Sequence, residues 1–137
     1  MGLAMHGKAI IIQVRVLYSD VDQMRWANHG SYHRWFETGR AEYMRKKGLP
    51  YKKLEEMGYF MPVTELFCKF IKPIKYDDLI NIVAWPSNVK KASMRFEYEI
   101  LNEANQLKAK GYTQHVCLNR EGKIVRMPEE LRRILEV

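Results

Sequence analysis

The chain has 137 residues, 47% of them hydrophobic, and a formal net charge of +7. This length and composition suit one folded domain with its own core and exclude a disordered, low-complexity chain. No run approaches the roughly 20 apolar residues that span a bilayer, so we expect a soluble, cytoplasmic protein without a membrane span. The charge favours anionic partners, and both nucleic acid and phosphorylated small molecules fit it.

The first half of the chain predicts a strand, a loop and a long helix. Residues 1–7 are too short for a secretory signal and are expected to be loose. Residues 8–18 are rich in β-branched side chains, which favours a strand, and residues 19–28 are polar and irregular. In residues 30–47 apolar side chains recur at steps of three and four, which predicts a helix with one apolar face.

Small and polar residues mark the ends of this helix. Asn28 is a predicted N-cap, because its side chain can accept a hydrogen bond from a backbone N–H of the first turn. Gly48, followed by Pro50, is a predicted stop. Gly39 lies inside the helix, where glycine costs about 1 kcal/mol relative to alanine. That cost predicts the close approach of another backbone at this point.

The second half of the chain changes to a period of two, which is typical of strands. Residues 93–100 show it best, because Met94, Phe96 and Tyr98 alternate with polar side chains. The other predicted elements are a short helix over 51–57, strands over 64–70, 78–84 and 108–118, turns over 102–106 and 119–122, and a terminal helix over 128–135.

This order of elements predicts a fold class. Strands linked by short turns pair antiparallel, and a long helix with one apolar stripe must bury it against the sheet. We therefore predict a single α+β domain over residues 1–137, with one long helix packed on a curved antiparallel sheet. No repeat or linker divides the sequence.

Metal-binding residue types are sparse. Cys68 and Cys117 are far apart and form no CxxC motif, so we expect two buried, reduced thiols. His29 and His33 share one helix face, a spacing that can hold a metal, but no third ligand is evident. We therefore predict no metal site.

Two segments resemble a known family. Residues 18–37, YSDVDQMRWANHGSYHRWFE, resemble the active-site loop and central-helix start of the 4-hydroxybenzoyl-CoA thioesterase family, to which the Tol–Pal-associated acyl-CoA thioesterases belong. Residues 70–80, FIKPIKYDDLI, are similar to the strand–turn–strand signature of that family. The chain departs from the pattern at Arg25, where glycine is usual, and near Ala27, where bulkier apolar residues are usual. We expect these departures to affect the choice of acyl group more than the reaction.

The resemblance implies the hot-dog fold, in which an antiparallel sheet wraps around a central helix. It implies a homodimer with one continuous sheet, often assembled into a tetramer, with active sites between the subunits. It also implies an acyl-CoA thioesterase whose substrate is an acyl-coenzyme A and which uses no metal or redox cofactor. Nucleic acid is then not expected as a partner.

Asp22 and His29 are the predicted catalytic residues. Thioester hydrolysis needs a nucleophile or a base that activates water, and hydrogen-bond donors where negative charge develops on the carbonyl oxygen. An acid in a loop before a helix can supply the first, and exposed backbone N–H groups at the helix start can supply the second. By its match to the family motif, Asp22 is the nucleophile or general base, and the backbone N–H of His29 polarises the carbonyl.

Other readings of these acids stay open. Asp22 is also typical of a loop aspartate that forms an Asx turn, and Asp20, two residues earlier, competes for the catalytic role. Some hot-dog thioesterases carry their carboxylate on the central helix, where this chain has Glu37 and Glu42. We interpret those two as solvated charges paired with helix arginines, Glu42 with Arg45 and Glu37 with Arg34 and Arg40.

Four further residues are predicted to contact the substrate. Lys90 and Lys91 match a basic run that meets coenzyme A phosphates in the family, although two lysines at a strand start are also typical of an exposed edge. Gln23 and Trp26 lie in the active-site loop. Trp26 is a better candidate for a wall of the acyl pocket than the helix aromatics, which are expected in the core: Tyr32, Trp35, Phe36 and Tyr43. The acyl group itself is not readable from the sequence.

Three other functions compete with hydrolysis. A non-catalytic hot-dog protein that binds an acyl group or coenzyme A needs no acid at Asp22. A basic RNA-binding α+β domain needs exposed sheet aromatics interleaved with Lys or Arg, whereas Phe96 and Tyr98 share a core face. A hot-dog dehydratase needs a catalytic histidine with a helix acid, but here the acid precedes the helix.

Overall fold

A computed structural model describes residues 8–136, so the segment 1–7 that was expected to be loose lies outside the described residues. In chain order the elements are β1 (Ile10–Arg15), a 3-10 turn (Tyr18–Asp20), α1 (His29–Lys46), α2 (Tyr51–Glu56), β2 (Val63–Phe70), β3 (Leu79–Ser87), β4 (Ser93–Asn102), β5 (Leu107–Val116) and α3 (Glu129–Glu136). No helix within residues 8–136 is long and apolar enough to cross a membrane.

The five strands form one antiparallel sheet in the order β1-β3-β4-β5-β2. The period-two pattern of β4 is confirmed, because Met94, Phe96, Tyr98 and Ile100 are buried on the face that α1 covers. β2 and β1 are the two edges of the sheet within this chain. The predicted α+β architecture, one long helix on an antiparallel sheet, is therefore confirmed.

The long helix is held by aromatic packing. Phe36 stacks on Tyr98 of β4, with ring centroids 4.2 Å apart, and both rings are buried. Burying a side chain of this size contributes roughly 1.5–3 kcal/mol. Gly39 faces β3, where an added Cβ would lie 3.0 Å from the Cγ2 of Ile82 and 3.2 Å from the Cβ of Ala84. The close approach predicted at Gly39 is real, but its partners are side chains rather than backbone.

Some predicted strand boundaries differ from the observed ones. β1 ends at Arg15 because its register with β3 becomes irregular at the next residue. Val16 N–H donates to Asp78 O, whereas Val16 O accepts from Asp77 N–H, and the chain then enters the 3-10 turn. Asp78, predicted as the first residue of the strand over 78–84, instead precedes β3 and accepts the N–H of Lys75 in a turn. The strand predicted over 64–70 is the edge strand β2, in which Leu66 and Cys68 are only half-buried.

Candidate active site

The loop between the 3-10 turn and α1 is a small hairpin. Its base is closed where Asn28 N–H donates to Asp20 O at 2.9 Å, and its tip where Asp22 N–H donates to Trp26 O at 2.9 Å. The hairpin also docks on the segment before β3, because Ala27 N–H donates to Ile74 O at 2.7 Å. Two independent sets of backbone hydrogen bonds therefore fix the position of this loop.

Arg25 occupies the tip of the hairpin. Its φ of 65° is the left-handed conformation that favours glycine and costs other residues roughly 1–2 kcal/mol. The guanidinium carbon lies 5.4 Å from the centroid of the Tyr76 ring, a cation–π contact that offsets part of this cost. The loop thus keeps the backbone conformation expected of a glycine although an arginine stands there.

Asp22 is exposed and uses only one carboxylate oxygen in the loop. Its Oδ1 accepts the backbone N–H of Met24 at 2.9 Å and of Trp26 at 3.3 Å, which is an Asx turn. Among residues 8–136, its Oδ2 has no hydrogen-bond donor. The predicted Asx turn at Asp22 is therefore confirmed. It leaves the other carboxylate oxygen able to act on another molecule.

Asp20 is the opposite case. Its side chain is 2% exposed, its Oδ2 accepts the N–H of Leu17 at 2.7 Å, and its Oδ1 pairs with the guanidinium of Arg34. Both oxygens are committed within the protein. The Arg34 pair that the sequence suggested for Glu37 is therefore replaced by a pair with Asp20.

α1 begins at His29, as predicted, and Asn28 is its N-cap. The Asn28 Oδ1 accepts the backbone N–H of Ser31 at 3.0 Å and its hydroxyl at 3.0 Å. The first N–H groups of a helix have no intrahelical acceptor, and that of His29 has no acceptor elsewhere in residues 8–136. This N–H is available to bind an oxygen carrying developing negative charge.

A cleft of about 260 Å³ opens beside the helix start. The His29 ring stacks on Phe70 with centroids 4.7 Å apart, and Tyr32 meets Phe70 edge-on, also at 4.7 Å. The cleft is lined by aromatic, aliphatic and one basic side chain: Trp26, Ala27, His29, Tyr32, Phe70, Ile71, Lys72, Pro73 and Ile74. Burial raises the pKa of Tyr32 to about 12, with Cys68 adding to the effect, so this phenol is neutral at neutral pH.

The structure brings only some of the predicted site residues together. His29 and Trp26 line the cleft, whereas Asp22 and Gln23 lie exposed in the adjoining hairpin and are not part of its wall. Phe70 and Lys72 were missed as site residues, because the resemblance of segment 70–80 supports the fold more than the chemistry. The sequence signal for these two residues was that the period-two alternation ends at Lys72-Pro73, just after β2.

Lys90 and Lys91 lie far from the hairpin within the chain. The hairpin docks beside the start of β3, and the two lysines follow the end of that strand, in the turn that leads to β4. Because β3 has nine residues, its ends are roughly 26 Å apart. Both lysines are exposed.

A second polar cluster, which the sequence did not predict, crosses the core beneath the middle of α1. Arg40 donates to the Tyr98 hydroxyl at 3.4 Å, which is 2.7 Å from Thr113 Oγ1. Thr113 Oγ1 is 2.7 Å from His115 Nε2, and His115 Nδ1 is 3.0 Å from Met61 O. A carbonyl can only accept, so Nδ1 carries the proton and Nε2 accepts from Thr113. We call these five residues the core network.

Burial lowers the pKa of His115 to about 4, with a smaller contribution from the charge of Arg40. The neutral imidazole is therefore the stable form at neutral pH, in agreement with the hydrogen-bond directions. Glu37 stays exposed above this region, and Glu42 pairs with Arg45 as predicted. Within residues 8–136, no three His, Cys, Asp or Glu side chains are grouped so as to hold a metal.

A long helix packed on a five-stranded antiparallel sheet is the architecture of the hot-dog fold. Residues 6–135 match the thioesterase-like superfamily. The crystal structure of a hypothetical protein from Aquifex aeolicus is 31% identical, with a TM-score of 0.88 over 92% of this chain and 98% of that one. The acyl-CoA thioesterase YbgC of Haemophilus influenzae is 30% identical to this chain, and the match covers 87% of this chain and 88% of that protein.

A DHNA-CoA thioesterase structure from Staphylococcus aureus is 30% identical, with a TM-score of 0.83 over 91% of this chain and 82% of that one. The chain therefore belongs to the thioesterase-like superfamily. The predicted hot-dog fold and the predicted enzyme class, a thioester hydrolase, are both confirmed.

Proposed function

We propose that this enzyme hydrolyses acyl-coenzyme A thioesters to a free acid and coenzyme A, with Asp22 as its catalytic carboxylate. The observation that carries the proposal is the uncommitted oxygen of Asp22, held in a hairpin that is hydrogen-bonded to the start of α1. The His29 N–H, without an acceptor in residues 8–136, is the donor for the thioester oxygen. Relatives named as acyl-CoA thioesterases support coenzyme A as the leaving group.

Two routes use this arrangement. In one, Asp22 attacks the thioester carbon, the C–S bond breaks, and water then cleaves the acyl–carboxylate anhydride. In the other, Asp22 takes a proton from a water molecule as that water attacks the carbon, and the thiolate leaves. In both, negative charge collects on the carbonyl oxygen, where the His29 N–H and the positive end of α1 stabilise it.

We propose that the working unit is a homodimer or tetramer with its sites between subunits. Two features support this: β2 is an unpaired edge with Phe67 and Phe70 exposed, and Lys90 and Lys91 are too far from Asp22 to share one site within a chain. A partner subunit could supply the lysines for the phosphates of coenzyme A, while Gln23 and Trp26 contact the acyl end. The subfamily and the cytoplasmic location stay predictions.

The first prediction concerns Asp22→Asn. Asparagine keeps the Oδ1 that accepts the N–H of Met24, so the hairpin is retained while the nucleophilic or basic oxygen is lost. We expect kcat for acyl-CoA hydrolysis to fall about 1,000-fold or more, with substrate binding largely kept. The measurement is thiol release over a panel of short-chain, long-chain and aromatic acyl-CoAs.

Asp78→Asn is the matched control, because Asp78 also accepts a backbone N–H in a turn, that of Lys75 at 2.8 Å. This variant is expected to keep kcat within twofold of the wild type. Near-normal turnover by the Asp22→Asn enzyme would remove Asp22 from the mechanism. Binding of coenzyme A esters by the wild type without thiol release would instead favour the non-catalytic binding protein.

A further inference from the structure

The hairpin that carries Asp22 is tied to α1 through a single buried residue, Asp20. Its side chain joins the Leu17 N–H to the guanidinium of Arg34, and is 2% exposed. Its carbonyl oxygen accepts two further hydrogen bonds, from Asn28 N–H at 2.9 Å and from the Ser31 hydroxyl at 2.8 Å. We call Asp20 with Ser31 and Arg34 the loop clamp.

The clamp lies between the two groups that the reaction requires. Asp22 is two residues beyond Asp20 on the first strand of the hairpin, and His29 directly follows Asn28 on the second. Ser31 and Arg34 project from the first two turns of α1. Asp20 therefore adds a side-chain constraint on the distance from the Asp22 carboxylate to the first amide of α1, beyond the backbone hydrogen bonds that hold the hairpin.

We propose that the loop clamp is a positioning device for hydrolysis: Asp20, held by Arg34 and Ser31, aligns the Asp22 carboxylate with the His29 N–H. This rests on the proposed function of Asp22. A buried carboxylate with one cationic partner is poorly explained as a stabilising element alone, because its desolvation offsets much of the gain from the pair. The clamp instead imposes one geometry on a loop that is otherwise held by backbone hydrogen bonds.

Such a role predicts a specific kinetic signature. A shift of about 1 Å in a reacting group can cost on the order of 100-fold in rate. We expect Arg34→Gln and Ser31→Ala to lower kcat by about 10- to 100-fold while KM changes less than threefold, because the cleft residues stay in place. Arg34→Lys keeps the charge and should recover most of the lost kcat.

Arg45→Gln is the matched control on the same helix. It also removes an arginine–carboxylate pair, with Glu42, but at the other end of α1 and on the surface. Its kcat should stay within twofold of the wild type. Tyr43→Phe, which removes a hydrogen bond to Ile134 O, controls for loss of stability, since it lowers the melting temperature without touching the hairpin.

The decisive test repeats Arg34→Gln in the Asp22→Asn background. If the clamp acts through Asp22, the residual activity of the double variant equals that of Asp22→Asn alone. The proposal is overturned if Arg34→Gln lowers kcat in the Asp22→Asn background by the same factor as in the wild type. It is also overturned if kcat falls in proportion to the melting temperature in both Arg34→Gln and Tyr43→Phe. If Asp22→Asn is inactive and the clamp variants turn over normally, this inference fails and the proposed function stands; if Asp22→Asn is active, both fail.

Discussion

Two polar clusters rest on the same helix and differ in one property. The cluster at the start of α1 contains an Asp22 oxygen and a His29 N–H that have no hydrogen-bond partner in residues 8–136. The core network beneath the middle of α1 is a continuous run of hydrogen bonds from Arg40 through Tyr98, Thr113 and His115 to Met61 O. The start of α1 thus has spare hydrogen-bonding capacity next to a cleft, as the proposed reaction requires, whereas the buried groups of the core network are paired with one another.

This difference is also visible in the two aspartates of the hairpin. Asp20 has both oxygens engaged and is buried, whereas Asp22 has one oxygen engaged and is exposed. The two acids are two residues apart and chemically identical. Their environments alone separate the residue that holds the loop from the residue we propose for the chemistry.

The core network is expected to make stability depend on pH through His115, and this is the largest effect that should distinguish it from the cluster at the start of α1. The pKa of His115 is about 4 in the fold and near its ordinary 6.5 in the unfolded chain. Below pH 6.5 His115 is protonated in the unfolded chain, whereas in the folded protein it stays neutral until the pH approaches 4. The free energy of unfolding therefore falls as the pH drops from 6.5 towards 4. The full effect amounts to about 3 kcal/mol.

Urea unfolding at pH 7 and at pH 4.5 measures this difference in wild type and in His115→Gln. The variant should lose less stability between the two pH values than the wild type, and its kcat at pH 7 should stay within threefold. His33→Gln, an exposed histidine on α1, is the control and should keep the wild-type difference. An equal loss of stability in wild type and His115→Gln would contradict the assignment of a neutral, buried imidazole.

A smaller expected effect comes from Asn28→Ala at the reactive end. Loss of the N-cap costs about 1 kcal/mol of stability, since the N–H of Ser31 loses its side-chain acceptor. Because the Asn28 Oδ1 also accepts the hydroxyl of Ser31, a residue of the loop clamp, we expect kcat to fall as well, by about tenfold. Thermal unfolding and thiol release on one preparation check both, and Asn28→Ser, which can still cap, should recover most of each loss. A lower melting temperature with unchanged kcat would separate the cap from the chemistry.

The sequence predicted most of what local physics decides. The start of α1 at His29, its Asn28 cap and the alternation of β4 follow from side-chain geometry within a few residues. The end of β1 and the start of β3 were misplaced, because they depend on where Val16 and Asp78 meet across the fold. Periodicity carries no information about such distant partners.

The site was predictable only in part, for the same reason. A motif can point to Asp22 and His29, but the cleft wall at Phe70 comes from β2, about forty residues further along the chain. The core network joins Arg40 to His115 and Met61 across β4 and β5, so no segment contains its pattern. The pairing of Arg34 with Asp20 rather than Glu37 required the loop to fold back on its helix.

The smallest expected effect concerns a third region, the turn with Lys90 and Lys91, which lies at the far end of β3 from the reactive cluster. Exposed ion pairs contribute little, so we expect the double variant Lys90→Ala with Lys91→Ala to raise KM for acyl-CoAs roughly tenfold or less, with kcat unchanged. Short thioesters without the nucleotide should show no rise. An equal change for both kinds of substrate would exclude contact with the coenzyme A phosphates.

Mixed dimers test the proposed site between subunits by showing which subunit supplies these lysines. One subunit carries Asp22→Asn, and its partner carries the two lysine substitutions. If each site combines Asp22 of one subunit with the lysines of the other, one site in the mixed dimer holds every required residue and regains the wild-type KM at about half the wild-type kcat. If both come from the same chain, the only site with Asp22 keeps the raised KM. The roughly 26 Å length of β3 makes the first result the expected one, because a single subunit keeps the lysine turn and the hairpin at opposite ends of that strand.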